Sequence, residues 1–405
     1  MIRIWVTLTC AGLALTAQET LSLEAALKEA TERHPLIAAS DGRILTAQGL
    51  VDQAAMRPNP RLTVQLENLR AWQLPYRPGI DKDYFLYLSQ VLETAGKRER
   101  RSELAASNKQ LAGIARDLLV QQTVAHVRQA FWAAAGASAL VDVYTESLKN
   151  FADTVAYHEH RVREGNLAEA DLIRVKLEHE RIKLAASNAA LQAEQSTIAL
   201  QREMGRAVID PGLRIHSDLA AQSPLPAEDA DLAINQRAEV RLARQALNVT
   251  AANEKLQLAI AKPDLEISGG YKRTNGYDGL LAYLNVDLPW RHKNQGNIAA
   301  AGAETRVARS NAAAAEALVR AEVRGAFSAY KLRREQIDGT IAALTAQARE
   351  TARIAQAAYR EGGADLLRLL DAERTRLEAE LLRVQTLVEL RLAEAAVQSA
   401  LGVTP

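Results

Sequence analysis

The chain has 405 residues, a net charge of +1, 48% apolar residues and only 4% aromatic ones. Such a balance gives no basic or acidic signal for nucleic acid or an acidic partner. Apolar content carried by Ala, Leu and Val favours long, closely packed helices over a bulky globular core.

Residues 1–17 read as a signal peptide, with Arg3 as the positive start, Ile4 to Ala14 as the apolar stretch and cleavage after Ala17. The competing reading is a short membrane anchor, although the stretch falls below the ~20 residues that cross a bilayer. Cys10 is the only cysteine and lies inside this segment, so the mature chain is expected to have no disulfide and no thiolate chemistry. No later segment approaches ~18 consecutive apolar residues, which excludes a spanning helix but not a β-barrel.

The rest of the chain follows one plan twice. Arg163-Glu164-Gly165 returns as Arg360-Glu361-Gly362, and Glu203-Met204-Gly205 is echoed by Ala400-Leu401-Gly402, both 197 positions later. The first repeat, 18–205, is expected to hold a helix, strands at about 61–71 and 83–92, and long helices across 96–204. A linker over 206–231 carries Pro211, Pro224 and Pro226. The second repeat, 232–405, is expected to hold a helix, strands at about 264–273 and 280–288, and long helices across 292–402.

Period-two patterning marks the strands. Leu62, Val64 and Leu66 alternate with Thr63, Gln65 and Glu67, and Leu284, Val286 and Leu288 alternate with Asn285 and Asp287. Leu265 and Ile267 alternate with Glu266 and Ser268, while Gln90 interrupts the apolar side of the Tyr84–Leu92 run. Pro75, Pro78 and Gly79 make the first connection a loop, and Asn275-Gly276 is a hairpin dipeptide in the second. Nine of the eighteen aromatic residues gather near these strands, Trp72, Tyr84, Tyr277 and Trp290 among them, as in the interfacial girdle of a membrane barrel.

Proline is absent between Pro78 and Pro211 and between Pro289 and Pro405, which leaves room for long helices. A helix from Gly96 to Glu164 would run roughly 100 Å at ~1.5 Å per residue. Leu377, Leu381, Val384, Val388 and Ala395 form a coiled-coil-like seam, with Arg374, Arg376, Glu378, Glu380 and Arg383 on a solvated face.

Four strands cannot close a pore alone. An eight-stranded barrel is filled by side chains, whereas three copies give twelve strands and a lumen. The expected fold is therefore a mixed α and β membrane protein. It is a homotrimeric 12-stranded transmembrane β-barrel, four strands per chain, continued by a long α-helical barrel. Thr63, Glu67, Asn285 and Asp287 would face the lumen.

The chain resembles the TolC family of outer-membrane efflux proteins. The resemblance rests on the duplicated plan, on Pro60-Arg61-Leu62 and Lys262-Pro263-Asp264 opening strands, on Gly96-Lys97-Arg98, and on Leu369-Leu370-Asp371-Ala372. Leu288-Pro289-Trp290 and Lys293-Asn294-Gln295-Gly296-Asn297 look most like the branch serving heavy-metal cation efflux. The resemblance implies an exit duct in the outer membrane of a Gram-negative-type bacterium, with a large periplasmic part. Its implied partners are a periplasmic adaptor, an inner-membrane pump of the resistance-nodulation-division type and outer-membrane lipid.

The same resemblance assigns sites. Gly165, Asn166 and Leu167, with Gly362, Gly363 and Ala364, would be adaptor-contacting tips. Asp171, Tyr359, Arg368 and Asp371 would form a periplasmic gate, Tyr359 latching to Asp171 while Arg368 offsets the negative ring of Asp371. Each of these has an ordinary alternative, a polar group on a solvated helix face. His158-Glu159-His160 is read as polar surface near the tip, because positions two apart on a helix point about 200° apart and cannot share a metal. His292 is read as interfacial. No catalytic constellation, cofactor site or metal site emerges, so no enzyme is expected. The alternative is a non-pore periplasmic coiled-coil structural or adaptor protein.

Overall fold

The computed structural model describes residues 20–403, apart from 70, 71, 73, 76, 78, 79, 81, 222 and 223. The expected signal segment with Arg3 and Cys10, and Tyr76, Pro78 and Gly79, lie outside the described residues. In chain order the first elements are β1 (Thr20–Leu21), α1 (Leu23–Arg33), α2 (Pro35–Ala55), β2 (Arg61–Glu67), β3 (Asp83–Leu92), α3 (Lys97–Arg163) and α4 (Glu169–Glu203). Then follow β4 (Arg214–Ile215), α5 (Ala230–Gln236), α6 (Ala238–Ile260), β5 (Leu265–Thr274), β6 (Tyr277–Val286), α7 (Gln295–Glu335), α8 (Ala342–Arg360) and α9 (Leu366–Ala400). A π-helical segment, Gln336–Ile341, joins α7 to α8.

The elements sort into two compact units, one of residues 36–120 and 229–322, the other of residues 1–35, 121–228 and 323–405. The first contains an antiparallel sheet in the order β2-β3-β5-β6. Its register places Leu62, Leu88, Gly269 and Ala282 in one row, and Val64, Leu86, Tyr271 and Leu280 in the next. Because side chains alternate, this apolar set shares one face, and that face is exposed: Leu280 is 86% accessible and Val64 71%. The opposite face carries Thr63, Gln65, Glu67, Lys272 and Asn285. Asp287, expected among them, lies one residue past the end of β6.

Local chemistry fixes this register. Asn275 and Gly276 adopt φ of 52° and 81°, the two left-handed positions of a two-residue hairpin closed by the Thr274–Tyr277 pair. Gln90 sits on the apolar face opposite Ile267, and its amide is satisfied by the carbonyls of Pro58 and Val91. Gly270 is required by close approach: a Cβ there would lie 2.2 Å from the Leu86 carbonyl oxygen and 2.5 Å from Tyr87 Cα. At the helix end of the sheet, Lys97 pairs with Asp264 at 2.8 Å, and the Thr94 amide donates to the same carboxylate. Two strands end earlier than the patterning suggests, at Glu67 in place of 71 and at Val286 in place of 288.

The second unit packs helices around small side chains. Gly136 on α3 meets Val388 on α9 so closely that a Cβ would come within 2.2 Å of a Val388 methyl. The expected seam is part of this contact, with Val384 and Ala395 buried and Leu377, Leu381 and Val388 half-buried. Glu380 corrects the solvated-face expectation. It is buried, held by Arg349 and, at 3.0 Å, by Arg383, because α8 packs over a position that helix periodicity alone leaves open. Arg376 is likewise half-buried.

The linker is more than a connector. β4 pairs parallel with β1, and buried Arg391 donates to the carbonyls of Asp218 and Leu219 while pairing with Glu394 at 2.5 Å. Arg391 also lies over the Trp132 ring, 5.0 Å from its centroid.

Replacing Gly270 with Ala should shift backbone or unpair β3 from β5. Circular dichroism in detergent is expected to show less strand signal and an earlier melt than wild type.

Candidate functional site

Two helix reversals in the helical unit carry the candidate site. At the first, Gly165 has φ +73°, its N–H bonds to Val162 O at 3.0 Å, and the Asn166 N–H bonds to Arg161 O at 2.9 Å. At the second, Gly362 has φ +78°, its N–H bonds to Tyr359 O at 3.1 Å, and the Gly363 N–H bonds to Ala358 O at 2.8 Å. Both are Schellman caps, which place a left-handed residue after the last turn and satisfy the terminal carbonyls. The outgoing helices differ. Asp365 caps α9 through Arg368 N at 3.0 Å, whereas Ala168 offers α4 no side-chain cap. Gly165, Asn166, Gly362 and Gly363 are exposed, and Leu167 and Ala364 are half-buried.

Beyond the turns the charges alternate between helices. Asp171 and Arg368 are each the third residue of their helix, and Arg174 and Asp371 each the sixth. Asp171 is half-buried near the positive end of α4, a favourable place for a carboxylate. Arg368 and Asp371 are exposed, and neither makes a side-chain ion pair among the described residues. Lys176–Glu159 at 2.7 Å and Arg374–Glu178 at 2.9 Å tie α4 to α3 and α9 respectively. Beneath them Val175, Leu366 and Leu369 form a buried cluster, with Val155, Tyr359 and Leu370 packed against it.

Tyr359 meets a different partner from the expected one. Its hydroxyl is 2.7 Å from His158 Nε2, and no hydrogen bond to Asp171 occurs among the described residues. Burial pushes the Tyr359 hydroxyl pKa up, and the charges of Tyr157 and Asp171 add to the effect. His158, read from sequence as surface, is fully buried. The polar run around it hides this, since only packing of α8 against α3 covers that position. No signal in the sequence singled it out, since α3 carries several polar aromatic residues, Tyr144, Tyr157 and His160 among them. His160 and His292 remain exposed. Among the described residues no group of three or more His, Cys, Asp or Glu side chains is placed to hold a metal, and no helix is long and apolar enough to cross a membrane.

Comparison with known proteins bears on the exposed apolar sheet of one unit and the capped helix reversals of the other. Residues 26–206 match the family described as outer membrane efflux protein. The chain is 23% identical over 400 residues to the cobalt-zinc-cadmium resistance protein CzcC of Cupriavidus metallidurans, covering 94% of this chain and 90% of that protein. The outer membrane protein VceC of Vibrio cholerae shares the fold with a TM-score of 0.77 at 19% identity, over 94% of this chain and 96% of that one. The outer membrane channel MtrE of Neisseria gonorrhoeae, solved in its open state, does so with a TM-score of 0.76 at 19% identity, over 94% and 88%. Over residues 26–206 the chain is similar to the outer membrane efflux proteins, and over most of its length it shares the fold of the two solved structures.

The pH response of the helical unit follows from Glu380. Burial opposes its charge, but hydrogen bonds from Arg349 and Arg383 prevail and hold its pKa below the ordinary 4.5. A depressed carboxylate stabilises the fold above its unfolded pKa and loses that contribution as pH falls through the folded value. Melting temperature is therefore expected to drop below about pH 4.5 in wild type and to drop less steeply in Glu380→Gln.

Proposed function

We propose that this chain is the outer-membrane exit duct of a tripartite efflux system. It conducts substrate passively from an inner-membrane pump and periplasmic adaptor to the outside. The observation that carries this reading is the exposed apolar face of a four-stranded sheet whose outer strands, β2 and β6, each have one neighbour. Lipid supplies no hydrogen bonds, so such edges require closure. Three copies of the chain would close twelve strands around a lumen lined by the polar face, with the helices forming a periplasmic tube. The matching caps of the two halves support an internally repeated chain. A non-pore coiled-coil protein has no use for the apolar face.

The reversals at Gly165, Asn166 and Leu167 and at Gly362, Gly363 and Ala364 suit the tips that meet the adaptor, being capped and exposed apart from half-buried Leu167 and Ala364. Asp171, Tyr359, Arg368 and Asp371 lie within a few turns of them and form the candidate gate. The cobalt-zinc-cadmium resistance relative and the Lys293–Asn297 motif favour heavy-metal cations as cargo and a resistance-nodulation-division pump. The duct needs no catalytic group, because the gradient is made elsewhere.

In the outer-membrane fraction the full chain should cross-link as a trimer and conduct in planar bilayers. A soluble periplasmic monomer would overturn the reading. The Asp171→Asn/Tyr359→Phe double variant should raise the open fraction, and an unchanged value would remove these residues from the gate.

A further inference from the structure

His158 and Tyr359 make a contact that the proposed gate does not employ. Both ring nitrogens of the buried imidazole are engaged. Nδ1 lies 2.7 Å from the Thr154 carbonyl oxygen, which only accepts, so Nδ1 carries the proton. Nε2 is left as an acceptor, and the Tyr359 hydroxyl donates to it across 2.7 Å. The two rings stack with centroids 5.6 Å apart and planes 12° apart, and Tyr157 meets each of them edge-on.

This geometry joins α3 to α8 across the helical unit, a few residues before each Gly-capped reversal. The hydroxyl has one proton, and here it is directed at His158. Asp171 acts on Tyr359 through its charge but receives no hydrogen bond from it. A cavity of about 160 Å³ borders the Tyr359 ring, lined also by Asn150, Asp153 and Gln356, so the ring has space to leave the stack once the bond breaks.

We propose that His158 is the positioning residue of the tip: it, and not Asp171, accepts the Tyr359 hydroxyl and so ties the two halves of the chain together in the resting gate. The inference rests on the duct reading. Its physical content is a single hydrogen bond within a preformed ring stack, which can open without unfolding either helix. The tie is neutral at both ends, so it does not depend on the ring of charges at Arg368 and Asp371.

Single-channel recording in planar bilayers tests it, with the full chain as its native assembly. Tyr359→Phe keeps the ring stack and removes only the hydroxyl. It should raise the open fraction roughly fivefold, the population shift of one ordinary hydrogen bond. His158→Phe should match it, and the two together should go no further. His158→Gln, which restores an oxygen acceptor, should return toward wild type, and Asp171→Asn alone should raise the open fraction by less than Tyr359→Phe does. Additive effects of the two Phe variants, or an Asp171→Asn rise equal to that of Tyr359→Phe, would overturn the proposal. If His158→Phe does not assemble, the comparison of Tyr359→Phe with Asp171→Asn decides alone. Absence of any conductance in wild type would instead remove the duct reading beneath it.

Discussion

The structure depends on where four strands put their hydrogen bonds. The inner strands, β3 and β5, are paired on both sides, while β2 and β6 are paired on one. In water those edges could be left hydrated. Beside an apolar face as exposed as that of Leu62, Val64, Leu280 and Leu284, the proposed lipid surroundings would offer them no donors or acceptors. Under the proposed reading, the apolar face meets lipid and further strands lie alongside the edges. Gly270, Gln90 and the Asn275–Gly276 turn all serve to keep this sheet in the register that separates apolar from polar.

The helical unit solves a different problem. Long Ala-rich helices offer little side-chain volume, so close packing has to come from near approach of backbones. Gly136 against Val388 is one such approach. Several polar side chains buried by that approach are paired: Arg391 with Glu394 and the linker carbonyls, Glu380 with two arginines, His158 with Thr154 and Tyr359. Removing one member of such a set leaves the other desolvated, which is why these contacts hold elements in fixed positions more than they add stability.

Asymmetry between the two halves is concentrated near the reversals. Four caps at Gly165, Gly205, Gly362 and Gly402 share one geometry, with φ between 73° and 78°. The helices leaving the tips differ in their N-caps and in the sign of charge at the third and sixth positions. The second half alone contains the π-helical turn at Gln336–Ile341, where the corresponding stretch of α3 is regular. An extra residue in a helical turn resets the faces of everything that follows, so α8 meets its neighbours on a face that simple periodicity does not give.

Local features were legible in the sequence for a local reason. Strand alternation, the Asn-Gly hairpin, proline-free helices and glycine reversals are set by φ/ψ preference and by period within a few residues, and each appears at the expected place within a few positions. The reversals at Gly165 and Gly362 were found in this way. Whether a polar residue on a long helix faces water or another helix is not a local property. Glu380 and His158 look like surface in sequence, and the packing of α8 buries both. The partner of Tyr359 was likewise open, since Asp171 and His158 both lie one helix away and only the approach of α8 to α3 selects between them. The sequence by itself determined the elements, their order and the amphipathic sheet, because those follow from backbone chemistry and period. The tertiary structure alone decided which polar groups meet, because that depends on helix faces brought together from positions some 200 residues apart.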